Sequence, residues 1–217
     1  MKKKQIAVIL SGCGVYDGSE IHEATLSLYA ISKLGAEYQI FAPDIDQHHV
    51  INHITGEEMA EKRNVLVESA RIARGNIKSL DKLNQNDFDA IIFPGGFGVA
   101  KNLCNFAFKG TDCQVDSSIE NLIKSFHSAG KPIGALCISP VLIARVLHGV
   151  EVTIGEDAGT AKAIETFGAK HNKTKHGEVT VDKKNKIVTN PCYMLNSTIA
   201  QIGEGAENVV KAILELV

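Results

Sequence analysis

Among the five cysteines of the chain, Cys137 stands where a thiol can react. It lies in Lys131-Pro132-Ile133-Gly134-Ala135-Leu136-Cys137-Ile138-Ser139-Pro140, where a short apolar run ends and a helical apolar pattern begins. A strand, a sharp turn with a nucleophile at its tip and a helix make a nucleophile elbow. Such a turn lifts the side chain out of the sheet. The helix behind it aims free N–H groups and the positive end of its dipole at the sulfur, which favours the thiolate. A small buried, inert cysteine would fit the same place. No glycine follows the nucleophile closely, so the motif alone leaves both readings open.

Other residues could complete a site. Pro94-Gly95-Gly96 directly follows an apolar run, so its backbone can approach a substrate closely. The N–H groups of Gly96 and Ile138 are candidate oxyanion donors, with Gly95 beside them. Glu23 falls about one turn into a helical pattern whose apolar face carries Ile21, Leu26 and Leu28. Beside a thiolate it would have to be neutral, and burial near a second anion would make it a general acid/base. A solvated helix acid has the same spacing. Glu20 reads as a first-turn acid favoured by the helix dipole. For a Cys–His pair the candidates are His22, His171 and His176, of which His171 is preferred because His176-Gly177-Glu178 runs straight into a strand pattern. Cys13 and the segment Asn190-Pro191-Cys192-Tyr193 are candidate crevice walls, the two thiols also being candidate resolving cysteines.

The elements that must position these groups alternate. Strand patterns are expected at Gln5–Leu10, Glu37–Ala42, Phe88–Phe93, before Cys137, and at Glu151–Ile154, with a hairpin of Glu178–Val181 and Lys186–Thr189. Helices are expected at Ser19–Leu34 with Ser19 as N-cap, and at Met59–Ala73, Ser117–Ala129, Ser139–Leu147 and Thr160–Phe167. A last helix, Ser197–Val217, is expected to be interrupted near Gly203 and Gly205. Unbroken aliphatic strands between helices predict an α/β fold with a mostly parallel sheet covered on both faces, in one domain over 1–217. In such sheets ligands bind at the carboxyl ends of the strands, which gathers the loop Ser11–Glu20, Pro94–Gly98 and the Cys137 elbow in one place.

Composition narrows the partners. A net charge of −2 and the absence of tryptophan argue against a nucleic-acid surface. No stretch reaches membrane-spanning length, and the lysines of Met1-Lys2-Lys3-Lys4 read as a solvated tail. An odd cysteine count at irregular spacing, without an export signal, predicts a reducing cytoplasm. No zinc-type spacing occurs, and His48, His49 and His53 read as solvated, so no metal is expected.

Ser11-Gly12-Cys13-Gly14-Val15-Tyr16-Asp17-Gly18-Ser19-Glu20-Ile21-His22-Glu23-Ala24 resembles the first-loop signature of the enhancing-lycopene-biosynthesis (ElbB-like) family, in the PfpI and class I amidotransferase-like superfamily. Phe93–Leu103, Lys131–Pro140, Thr160–Glu165 and Lys186–Leu195 resemble it too. The resemblance implies a flavodoxin-like three-layer sandwich, Cys137 at the elbow, Glu23 as its acid partner, and Gly96 and Ile138 at the oxyanion position. It implies a homodimer and a cofactor-independent glyoxalase that converts small 2-oxoaldehydes to 2-hydroxy acids. The superfamily's proteases carry His directly after the Cys; here Ile138 stands there, which argues against peptidase activity. A redox sensor built on Cys137, an accessory role in isoprenoid metabolism and a glutaminase using Cys137 with His176 are the alternatives.

Overall fold

The structure is a computed structural model and describes residues 3–217, so Met1 and Lys2 of the lysine-rich start lie outside the described residues. In chain order the elements are β1 (Gln5–Ile9), α1 (Ile21–Lys33), β2 (Glu37–Ala42), α2 (Val65–Ile72), β3 (Ile77–Ser79) and β4 (Ala90–Phe93). There follow α3 (Phe106–Lys109), α4 (Ser117–Ser128), β5 (Ile133–Leu136), α5 (Pro140–Val146), β6 (Glu151–Val152), α6 (Ala158–Thr166) and β7 (Lys170–His171). The hairpin strands β8 (Thr180–Asp182) and β9 (Ile187–Asn190) and the helix α7 (Ile199–Leu216) close the chain.

Seven strands form one sheet in the order β3-β2-β1-β4-β5-β9-β8, parallel except for the β8–β9 pair. β1 shows why the strands lack period-2 alternation. Ala7 and Ile9 enter one core with Phe41, Ile91, Phe93 and residues of α4 and α5; Ile6 and Val8 enter the other with Ile92 and residues of α1 and α7. Both faces are buried, as a parallel sheet between helix layers requires. This is the flavodoxin-like α/β sandwich expected. The chain runs outward from β1 through β2 to β3, then returns to β4 on β1's other side. The loops after β1 and β4 therefore part at the switch point, and a crevice opens at the strand ends.

Several boundaries differ from the sequence reading. α2 starts at Val65, because the Asn64 side chain caps it by accepting from the Val67 N–H at 3.0 Å, while Met59 donates its N–H to Val50 O within a folded-back loop. Glu20, not Ser19, caps α1; the Ser19 hydroxyl instead accepts from the Ser11 N–H at 2.8 Å. β3 has three residues and no pattern to betray it. Only Glu151 and Val152 of the expected strand pair, with β7, in a second sheet of two strands.

The last helix is continuous through Gly203 and Gly205. The two glycines differ in what surrounds them. A Cβ at Gly203 would meet Leu26 at 3.8 Å, an ordinary contact, whereas one at Gly205 would lie 2.6 Å from Asn190 Oδ1. Gly203→Ala is therefore expected to stabilise the chain by about 0.5–1 kcal/mol, and Gly205→Ala to destabilise it by about 1–3 kcal/mol through overpacking. Paired thermal melts check the opposite signs.

Candidate active site

β5 delivers Cys137 to the crevice in a left-handed conformation, φ +59°. A non-glycine residue held there stores about 1–3 kcal/mol of strain and persists only where its surroundings over-determine it. Here the Cys137 N–H donates to Asn190 O on β9 at 2.9 Å, the Ser139 N–H closes the turn onto Leu136 O at 3.0 Å, and the Ser139 hydroxyl donates to Pro94 O at 2.9 Å. The elbow is thus tied to both neighbouring strands. Opposite it, Gly95 accepts the Glu20 N–H at 2.9 Å, which joins the β4 loop to the start of α1.

Glu23 is completely buried, and this decides what spacing left open. Its carboxylate accepts the Gly95 N–H at 3.0 Å on Oε2 and the Tyr193 N–H at 3.1 Å on Oε1, and it lies beside the Cys137 thiol across Gly95, where an added Cβ would sit 2.5 Å from Oε2 and 3.0 Å from the sulfur. Burial, then the neighbouring Glu20 charge, push its pKa to about 8, against the pull of these hydrogen bonds. Glu23 therefore holds a proton at neutral pH.

The Cys137 thiol is pushed up by burial first and by the Glu23 charge second, while the N–H groups of Gly96 and Ile138 favour the thiolate. The donors at the sulfur come from the β4 loop and the turn rather than from α5, whose Val141 and Leu142 N–H groups bond to Ile138 O and Ser139 O; burial outweighs them. With the proton on Glu23, the second upward cause disappears. Carboxyl and thiol thus both carry their protons, and two fixed N–H groups face the sulfur. Such a set can perform nucleophilic attack on a carbonyl, protonate the resulting oxyanion and then accept a proton from carbon.

The remaining predicted residues are distributed unevenly. Asn190 is buried behind the elbow: its Oδ1 accepts the Cys192 N–H at 2.9 Å and thiol at 3.1 Å, and its Nδ2 donates to Glu178 O. Cys192 is buried as well, and burial, Glu23 and Cys137 together push its thiol pKa up. Cys13 faces α2, where burial and Glu68 raise its pKa, and it does not join the Cys137 group.

His171 is not brought to the thiol. It lies on β7, outside the main sheet, where its Nε2 accepts the Ile154 N–H at 3.3 Å and burial lowers its pKa. The strand pairing with β6 pulls it away from the elbow. His176 pairs with the Ser197 hydroxyl at 2.8 Å, and His22 with the Tyr193 hydroxyl at 2.8 Å. His48 and His49 stack with Phe108. Among the described residues no group of three or more His, Cys, Asp or Glu is placed to hold a metal ion, and no helix is long and apolar enough to cross a membrane.

The Cys137 thiol opens into a cleft of about 340 Å³, walled by apolar side chains such as Val15, Phe97, Phe106 and Met194, with Tyr193 and Asp157 at its edge. Sequence reading placed Tyr193 in the crevice wall, which it lines, but did not foresee its bond to Glu23. Its contribution is a backbone N–H, which any residue type supplies.

Residues 14–191 match the model of the DJ-1/PfpI family. The chain belongs to the DJ-1/PfpI family. It is 53% identical over 222 residues to the human glutamine amidotransferase-like class 1 domain-containing protein 3, mitochondrial, covering 98% of this chain and 83% of the human one. Among solved structures, the isoprenoid biosynthesis protein with amidotransferase-like domain from Ehrlichia chaffeensis superposes with a TM-score of 0.92 at 35% identity, over 98% of this chain and 100% of that one. Glyoxalase III from Candida albicans shares the fold at a TM-score of 0.63 and 14% identity, over 98% and 97% of the two chains.

These relatives overturn the expectation of a cytoplasmic protein. The human DJ-1/PfpI relative and the rat and zebrafish ES1 proteins are all named mitochondrial. The cysteine argument failed for a simple reason: five free thiols report a reducing compartment without saying which one.

Proposed function

We propose that this DJ-1/PfpI member is a cofactor-independent glyoxalase, converting 2-oxoaldehydes to 2-hydroxy acids. The observation that carries the reading is the fully buried Glu23 carboxyl beside the Cys137 thiol across Gly95, its pKa pushed up to about 8 by burial. The Cys137 thiol releases its proton to water, the sulfur adds to the aldehyde carbon, and neutral Glu23 gives its proton to the alkoxide, forming a hemithioacetal. The Glu23 carboxylate then takes the hydrogen from the former aldehyde carbon, leaving an enediol, and returns it to the adjacent carbon. Tautomerisation leaves a thioester on Cys137. Water cleaves it to the 2-hydroxy acid and restores the thiol. Atoms balance with one water consumed, and no external oxidant enters. The Gly96 and Ile138 N–H groups beside the sulfur are the donors for the alkoxide in this reading.

The test is glycolate formation from glyoxal, with mass spectrometry to locate the covalent intermediate. Glycolate with an adduct on Cys137 is expected. A chain that makes no glycolate, or carries its adduct on another cysteine, overturns the reading. The outward placement of His176 and the presence of Ile138 after the nucleophile weigh against a glutaminase. The 35% identity to the Ehrlichia protein supports an ElbB-like branch within the family.

A further inference from the structure

The cleft is larger than a two- or three-carbon aldehyde needs. Its inner chamber of about 340 Å³ already falls in the range of sites that enclose drug-sized ligands, about 300–1,000 Å³. A second chamber of about 330 Å³ lies beside it, and Phe97 and Ala107 line both. The two differ in charge. On the inner wall stands Asp157, whose carboxyl is held below its ordinary pKa by the Thr160 N–H at 2.7 Å. On the outer wall stands Lys101.

Lys101 is unusual for a surface lysine. Its Nζ donates one hydrogen bond, to Tyr16 O at 2.8 Å, and sits 5.7 Å from the centre of the Phe97 ring. It makes no salt bridge among the described residues, and the acids whose charges reach it, Asp17 and Glu58, lie 3.8 Å from His53 and His49 instead. Burial lowers its pKa, opposed by the more distant charges of Asp17 and Glu58. A partly buried ammonium with two N–H donors to spare, set over an aromatic face, is a ready partner for an anion.

We propose that the outer chamber binds the anionic end of the substrate. The substrate class is then an extended 2-oxoaldehyde: its dicarbonyl end at Cys137, an apolar arm across Phe97 and a terminal anion at Lys101. Asp157 excludes the reverse orientation by like charge. This deepens the glyoxalase reading and rests on it for the reacting group.

Two measurements separate the claims. In the first, kcat/KM is compared for phenylglyoxal and 4-carboxyphenylglyoxal. The carboxylated aldehyde is expected to be favoured by about tenfold, the worth of one charge-assisted hydrogen bond. The ratio should collapse toward unity in Lys101→Gln and return in Lys101→Arg, with unchanged thermal melts. In the second, Cys137 is alkylated by 4-(bromoacetamido)benzoate or by neutral bromoacetanilide, which needs no turnover. A Lys101-dependent preference for the anionic reagent supports the anion chamber even if neither aldehyde turns over, in which case the glyoxalase reading alone falls. Turnover of both aldehydes without preference, together with equal alkylation rates, overturns the anion chamber and leaves the glyoxalase reading intact.

Discussion

Glu23→Gln is expected to lower glyoxal turnover by about 10²–10⁴-fold, the usual worth of a positioned acid/base, while Cys137→Ala abolishes both turnover and the covalent adduct. The double variant should be no worse than Cys137→Ala, since the two groups act on one proton and one carbon. The glutamine fills the same space but cannot give or take a proton, and its amide group faces either the Gly95 or the Tyr193 N–H. Part of the loss is therefore structural, and a second readout isolates the proton. The Glu23 pKa is raised from 4.5 to about 8 in the folded chain. Between those values the unfolded chain releases this proton while the folded chain keeps it, so the free energy of unfolding falls as pH rises through that window and levels off above it. Glu23→Gln removes this part of the slope. Urea titrations at intervals from about pH 5 to 8 measure it. A variant with the wild-type slope would mean that Glu23 is ionised in the fold, and would sink its role as proton holder.

How much of this was readable beforehand depends on where the information resides. The elbow at Cys137 was legible because strand, turn and helix follow one another within ten residues. The gathering of three loops at one sheet edge was legible because it follows from parallel strand order. Glu23 was placed on the right helix, yet its burial was undecided: one turn of helix fixes a direction but not what comes to cover it. That cover is Gly95 and Tyr193, the latter 170 residues away in sequence. His171 misled for the converse reason. It follows a plausible turn, but β7 pairs only with β6, a partner that two-residue strands cannot announce. The absence of a break in α7 has a local cause. Glycines at helical spacing look like interruptions, whereas Gly205 is small because Asn190 packs against it.

Gly95→Ala is expected to cost about 1–3 kcal/mol of stability, as overpacking of a dense interior does, and to reduce turnover by at least about 10²-fold, the penalty for misplacing reacting groups by roughly an ångström. The added methyl would overlap the Cβ of Cys137 and lie 2.5 Å from Glu23 Oε2 and 3.0 Å from the Cys137 sulfur. None of the three can yield cheaply. Cys137 is fixed in its left-handed turn by Asn190, and Glu23 is fixed by the N–H of Gly95 itself. The loop must retreat instead, which opens the carboxyl–thiol contact and draws the Gly96 N–H off the sulfur. Gly203→Ala, a substitution of the same kind in an open position, supplies the control for stability. If Gly95→Ala kept near wild-type turnover, the carboxyl, thiol and N–H donors could not be acting as one unit. The demand for glycine at position 95 comes from two functional side chains meeting across it, rather than from its own backbone angles: it has no positive φ, unlike Gly96 beside it at +103°.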